Sequence, residues 1–478
     1  MFNFNSLFNK NKTIPTDTMI MSDNLQITMD TRKTRRNNNN LLVSNRTDKD
    51  RFILSNLLQA NCSYVVFDPN GEYLDIAGKY LQDEGYDIRI LNLNNLKYSH
   101  KYNPFRYIRC DEDRSKLINI IHNEVVKRIP NQPADREHIK SFANAAYALL
   151  EALFLYLELE TPPEDQNFSS ILKLLKCAIP KDEDYESILD ILFNDLKERE
   201  REHIAVLKYE LFKQIAGNKT ENVVVCIGIA LAALNMSNLQ ELTNEDNIDL
   251  TSIGDKKTAL FCIVPIGYDA FNFIASMLYT QIIDTLCYHA ENDIETHKLP
   301  EHVRIFFDET LDIEFFKFNT YEAKLASMRL FNMSYVLSMY SSYTFKKQYP
   351  LAWEVIIGNI DNAVLNKFDT DVDLYQIKRT IEENKKVFDI SNKGIQVFSG
   401  NNNSRVKNAE VMCLKGKYTN LPDDLYTLYQ GEQSLVWVRG YTPIICNKIK
   451  TVNHPKYSIM DANGYTFDLQ AFFNDEIQ

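Results

Sequence analysis

The sequence predicts an α/β fold, a mostly parallel sheet carrying an inserted all-α segment, and three observations lead to it. Short apolar runs alternate with segments of helical period, the pattern of β-α-β units. Between about Asp111 and Glu241 strand signals vanish, and apolar residues recur at helical spacing, as in Ile171, Leu172, Leu174 and Leu175 and again in Ile188, Leu189, Ile191 and Leu192. At 478 residues the chain also exceeds the size at which one core keeps growing, so two domains, or one with a large insertion, are expected.

In chain order, strands are predicted at Asn40–Val43, Ser63–Phe67, Ile88–Leu93, Thr258–Val264, Val303–Asp308 and Ser334–Met339. Phe67 runs into Asp68-Pro69-Asn70-Gly71, whose Pro and Gly suit a turn, and a helix from Glu72 to Glu84 stops at Gly85. Within the helical block, Thr161-Pro162-Pro163-Glu164-Asp165 and Lys181-Asp182-Glu183-Asp184 mark turns. After about Leu365 the pattern turns polar, and the Asn-, Ser- and Gly-rich stretch Asn392–Asn408 is expected as a loop. A last strand, Ser434–Arg439, precedes the tail.

Hydrophobic residues at 45% and charged residues at 25% are globular proportions and argue against a disordered chain. The net charge of −12 opposes a surface that attracts nucleic acid everywhere, so any contact with single-stranded DNA is local. The 8 cysteines are scattered singly, without C-x-x-C pairs or zinc-type spacing, and read as free thiols. No metal site is expected. The most apolar stretch, Ala143–Leu157, is broken by Asn144 and Glu151 and reads as a core helix, so no membrane span is expected. Met1–Lys12 has Phe2, Phe4 and Phe8 but no signal-peptide pattern. A cytoplasmic protein, possibly peripheral at the inner face of the membrane, is the expectation.

Several collinear segments resemble the TraG/TraD and VirD-type coupling proteins of type IV secretion. They are "DTRKTRRNNN" (Asp30–Asn39), "NLLQANCSYVVFDPNGE" (Asn56–Glu72), "YNPFRYI" (Tyr102–Ile108), "PPEDQNFSSIL" (Pro162–Leu172), "GDKKTALFCIVP" (Gly254–Pro265), "FNFIASMLYTQ" (Phe271–Gln281), "LPEHVRIFFDE" (Leu299–Glu309) and "NHPKY" (Asn453–Tyr457). The resemblance implies a RecA-like P-loop NTPase-type domain over 25–110 and 242–478, a helical insertion over 111–241 that includes the all-α domain, and an N-terminal extension over 1–24. It also implies ring-shaped hexamers at a secretion channel that deliver relaxase-bound single-stranded DNA.

In an active relative the first strand leads into G-x-x-x-x-G-K-[ST], whose backbone N–H groups wrap phosphate. Here Val43-Ser44-Asn45-Arg46-Thr47-Asp48-Lys49-Asp50 has no glycine, and a phosphate-cradling nest is hard to build without one. Lys49 takes the place of the phosphate-binding lysine, but between Asp48 and Asp50, and Asp50 replaces the magnesium-binding hydroxyl. Two carboxylates facing a polyanion would cost on the order of several kcal/mol per close pair. A solvated lysine paired with its neighbours is the plainer reading of Lys49, with a magnesium held by Asp50 as the alternative. Asp308 and Glu309 match the family's acidic pair, read here as a remnant; acidic residues also end parallel strands for solubility alone. Ser338 stands where relatives carry a glutamine, and Asn366-Lys367 replaces a Gly-Gly. Arg329 corresponds to an arginine that could reach a neighbour's nucleotide, with a plain surface arginine as the alternative. The basic cluster Arg32, Lys33, Arg35 and Arg36 is read as a DNA or partner contact, or as a charged linker into the first strand. No constellation of residues supports an unrelated enzyme.

A kept body with a lost loop points to a non-hydrolysing accessory or adaptor, with no cofactor. Its expected partners are type IV secretion components, a relaxase or an active coupling ATPase, in a homo- or hetero-oligomer. One alternative is an active DNA-stimulated ATPase using ATP and Mg2+ through an atypical loop. Another is a regulator or interference factor that binds another coupling ring.

Overall fold

Runs such as Ser63-Tyr64-Val65-Val66-Phe67 and Val303-Arg304-Ile305-Phe306-Phe307-Asp308 show no inside-outside alternation, because the strands they form are buried on both faces. The computed structural model describes residues 17–34, 38–128, 136–180, 186–265, 271–308, 321–367, 386–399, 414–420, 431–458 and 466–476. Among them the strands are β1 (Thr18–Ser22), β2 (Leu25–Thr28), β3 (Asn40–Val43), β4 (Ser63–Phe67), β5 (Asp87–Asn92), β6 (Thr258–Ile263), β7 (Val303–Asp308), β8 (Met333–Met339), β9 (Asn362–Leu365), β10 (Lys386–Asp389), β11 (Gln396–Phe398), β12 (Lys417–Asn420), β13 (Gln433–Val438) and β14 (Ile444–Asn447). Eleven of them form one sheet in the order β12-β10-β14-β13-β9-β3-β8-β7-β4-β6-β5. Its segment from β9 to β5 is parallel throughout, while β13 joins β9 and β14 antiparallel.

Helices cover both faces. In chain order they are α1 (Thr31–Thr34), α2 (Arg46–Leu57), α3 (Glu72–Asp83), α4 (Asp111–Arg128), α5 (Arg136–Glu160), α6 (Phe168–Cys177), α7 (Ile188–Arg199), α8 (Ile204–Ala216), α9 (Thr220–Ala230), α10 (Ser237–Asn244), α11 (Asn272–Asn292), α12 (Tyr321–Ser327), α13 (Ser342–Gln348), α14 (Trp353–Gly358) and α15 (Leu469–Glu476). One core joins α4 to α11 with Leu41, Val43 and Val65 of the sheet; the other sets α2, α3 and the β1-β2 hairpin against Leu42, Tyr64 and Val66. Lys140–Glu160 is long and apolar enough to cross a membrane by length and composition, yet Ala145, Leu149, Leu153 and Phe154 along it are wholly buried in the first core.

The expected bounds hold for β3, β4 and β7, and shift by a residue for β5, β6, β8 and β13. Three expectations need correction. Residues 18–22 are not an extension: β1 pairs with β2, and Ile20 exchanges hydrogen bonds with the Asn56 side chain. The stretch Asn392–Asn408 is not all loop, because β11 pairs parallel with β2. The helical block runs on through α10 to Asn244.

The asparagine run also finds its reason. Asn38 takes a positive φ of 60°, which asparagine tolerates better than most residues. Asn39 accepts from the Tyr335 N–H, and Asn40 accepts from Asn362 Nδ2, so these buried amides lock β3 to its neighbours.

Candidate functional site

Open parallel sheets bind ligands at the carboxyl ends of their strands, and a cavity of about 210 Å³ lies there. Ser44, Asn45, Arg46, Lys49 and Asp50 after β3 form one wall. Asp68, Pro69, Asn70, Glu72 and Tyr73 after β4 form another, and Asp308, Met339 and Tyr340 from the ends of β7 and β8 complete it.

The turn after β3 is short because α2 begins almost at once. Asn45 caps it, its side chain accepting from the Asp48 N–H at 2.9 Å, so that first-turn amide is already engaged. Lys49 then projects across the strand ends and donates to Asp308 Oδ2 at 2.7 Å, with 19% and 7% of the two side chains exposed. Leu42 on β3, Ser338 on β8 and Asp308 on β7 lie in one register row, so β8 separates the strand that leads into the Lys49 helix from the strand that ends in Asp308. Ser338 Oγ sits between, 3.0 Å from both Phe307 O and Asp308 Oδ2.

This corrects two sequence readings. Lys49 is not a solvated lysine paired with its neighbours, for its partner lies on another strand. Nor do two aspartates flank it at the cavity. Asp48 is buried on another face of α2, held by Lys448 at 3.2 Å and Arg51 at 3.4 Å. Only Asp50 lines the cavity. It accepts from the Tyr73 hydroxyl at 2.5 Å, and burial raises its pKa against the pull of Tyr73, Lys49 and Arg46.

The remaining charges are nearly all matched. Arg46 reaches Glu72 at 3.0 Å and Asp50 at 3.8 Å. Asp68 differs: it is 1% exposed, its Oδ2 accepts from the Leu74 N–H, and its Oδ1 has no hydrogen-bond partner among the described residues. Burial pushes its carboxyl up to about 7, opposed by the Leu74 N–H that its Oδ2 accepts. Ser44 Oγ, also buried, is likewise without a partner. The sequence marked Asp68 only as a turn residue, and its signal was the polar Asp-Pro-Asn-Gly that follows an apolar strand.

Other predicted site residues lie elsewhere. Glu309, Arg35 and Arg36 are outside the described residues. Arg32 belongs to α1, and Lys33 there is exposed and 3.8 Å from Asp30. Arg329 is exposed just before β8, about 20 Å from the cavity end of that strand. Within one chain it does not reach the site. Asn366 is buried against the Ser434 hydroxyl, and the Lys367 ammonium lies 3.1 Å over the Tyr340 ring. Among the described residues no cluster of three or more His, Cys, Asp or Glu side chains could hold a metal ion.

A mostly parallel sheet covered by helices on both faces, with a cavity at its strand ends, is the architecture of a RecA-like P-loop NTPase-type fold, and the solved structures that this chain resembles share it. The chain is similar to the conjugative coupling protein TrwBdeltaN70 in an unbound form, at TM-score 0.55 and 14% identity over 90% of this chain and 89% of that one. It is also similar to the plasmid coupling protein TrwB in complex with ADP and Mg2+ (TM-score 0.54) and with the GTP analogue GDPNP (TM-score 0.56), each at 13% identity over 90% of both chains. No curated protein matches by sequence. The model of the family described as type IV secretory system conjugative DNA transfer matches residues 49–463, and the chain belongs to that family.

Proposed function

We propose that this chain is a coupling-protein homologue that works without hydrolysing nucleotide, as an accessory or adaptor to a relaxase, the secretion channel or an active coupling ATPase. The observation that carries the reading is the charge arrangement of the strand-end cavity. Four carboxylates line it against two cations, and both cations are already engaged, Lys49 by Asp308 and Arg46 by Glu72 and Asp50. A triphosphate would have to break these pairs, meet uncompensated carboxylates, and do so at a turn with no glycine and with the Asp48 amide occupied. The cavity residues do not fit ATP and Mg2+, and no hydrolytic step is assigned to them. The protein acts in the cytoplasm or at the inner face of the membrane, with DNA contact confined to local basic segments such as that of Arg32 and Lys33.

Calorimetric titration with magnesium-ATP tests this directly. No saturable heat at millimolar nucleotide is expected, and recovery of transfer components with the protein from cells carrying its parent element supports the adaptor role. A saturable isotherm overturns it. One observation favours the rival reading of an active DNA-stimulated ATPase: Lys49 and Asp308 do converge, as a phosphate lysine and a metal-site carboxylate must. That reading requires DNA-dependent hydrolysis abolished by Glu309→Gln.

A further inference from the structure

Resting on the reading that no nucleotide occupies it, we propose that the strand-end cavity is a receptor for an alkylguanidinium, the head group that an arginine of a partner polypeptide presents. Two unpartnered buried atoms call for a donor. Asp68 Oδ1 and Ser44 Oγ both belong to residues that line the cavity, both can accept a hydrogen bond, and neither has a partner among the described residues. Leaving such groups unmatched forfeits their hydrogen bonds, which a ligand carrying several N–H donors recovers. A guanidinium carries five in a planar fork, and carboxylate is the acceptor that fork fits best.

Charge selects the same ligand. With Lys49 and Arg46 engaged, Asp68 is the one lining carboxylate, among the described contacts, that no cation reaches. A phosphate would add anions to this set, whereas a monocation neutralises it. The volume of about 210 Å³ admits a guanidinium and part of its stem but is small for a whole nucleotide. Pro69, Met339 and the ring of Tyr73 offer apolar surface for the stem. The rim already attracts cations, as the Lys367 ammonium over Tyr340 demonstrates.

The test is calorimetric titration of the full-length protein with agmatine, repeated with the peptide Gly-Arg-Gly and with magnesium-ATP. A saturable agmatine isotherm is expected, weakened about tenfold in Asp68→Asn, the loss of one charge-assisted pair. Arg46→Ala, at an exposed position where folding is not at stake, tightens binding because Asp50 and Glu72 lose their cation. Affinity rises from about pH 6 to about pH 8 as Asp68 ionises. The titratable groups around Asp68 are Tyr73 and Asp75 on α3, Cys262 on β6, Tyr279 on α11 and Asp308 on β7, and Asp308 is already matched by Lys49. Tighter binding of the peptide than of agmatine identifies a polypeptide source; the reverse order identifies a free small cation. Agmatine binding that is absent, or unchanged in both variants, overturns the proposal. If magnesium-ATP is silent as well, the non-hydrolysing reading survives that failure, whereas saturable magnesium-ATP binding defeats both.

Discussion

Arg304 sits in the middle of β7, wholly buried, with Nε and both Nη atoms lacking hydrogen-bond partners among the described residues. A cation so placed has lost its water without gaining a counter-ion, and apolar replacement of such groups is often stabilising. Arg304→Met is therefore expected to raise the urea midpoint, with a gain of about 1–4 kcal/mol in unfolding free energy; a lowered midpoint would mean that the guanidinium has a partner in the folded chain. Asp68 makes a related prediction with a pH sign. Its folded pKa of about 7 lies above the ordinary carboxyl value of 3.8, so the fold binds this proton more tightly than the unfolded chain does. Stability is thus favoured below 3.8 and lost as pH rises towards about 7. Asp68→Asn should exceed the parent in stability at pH 8, by on the order of a few kcal/mol, with the advantage fading as the pH falls to about 4. An advantage independent of pH would assign the effect to packing instead. For Lys49 and Asp308, both largely buried, a double-mutant cycle of Lys49→Met and Asp308→Asn should return a coupling of about 1–2 kcal/mol.

At the scale of elements, α2 depends on the Asn45 cap more than on its own amphipathicity, since Phe52, Ile53, Leu54 and Leu57 are buried alongside the polar Ser55 and Asn56. Asn45→Ala should cost about 1 kcal/mol in chemical denaturation, and Asn45→Ser should restore most of it. Equal losses for both would show that the Asn45 amide contact to Asp48, rather than the cap, matters. The same elements explain what the sequence made legible. β3, β4 and β7 were readable because strands covered on both faces are uninterrupted apolar runs. β12 was not, because Lys417-Tyr418-Thr419-Asn420 is a largely exposed edge with no apolar face. The β1-β2 hairpin has strands of only five and four residues with polar positions among them, so no sequence pattern marks it, although its apolar residues pack in the second core. Of the site, the lysine and aspartate came from resemblance to a family, and their contact spans 259 positions that no local pattern encodes. Asp48 was placed at the cavity because it adjoins Lys49 in sequence, yet on a helix adjacent residues point about 100° apart, and Asp48 turns to Lys448.

Across the whole molecule, the helical insertion and the sheet are not two bodies joined by linkers. Their apolar residues form one continuous core in which Phe105, after β5, stacks on Phe154 of α5 at 4.6 Å, and Tyr102 donates to Gln281 of α11 at 2.6 Å. A core shared in this way couples the unfolding of both parts, because opening either one strips apolar cover from the other. Phe154 is wholly buried and also meets Phe168 of α6 edge-on. Phe154→Ala should therefore lose about 3–5 kcal/mol by combining lost transfer energy with an unfilled cavity. The loss should appear in a single transition, with far-ultraviolet ellipticity from the helices and near-ultraviolet signals from the aromatic sheet core shifting together. If the far-ultraviolet curve alone moved and the sheet melted where it did before, the insertion would be an independent domain that merely touches the sheet, and the continuous core would have no energetic meaning.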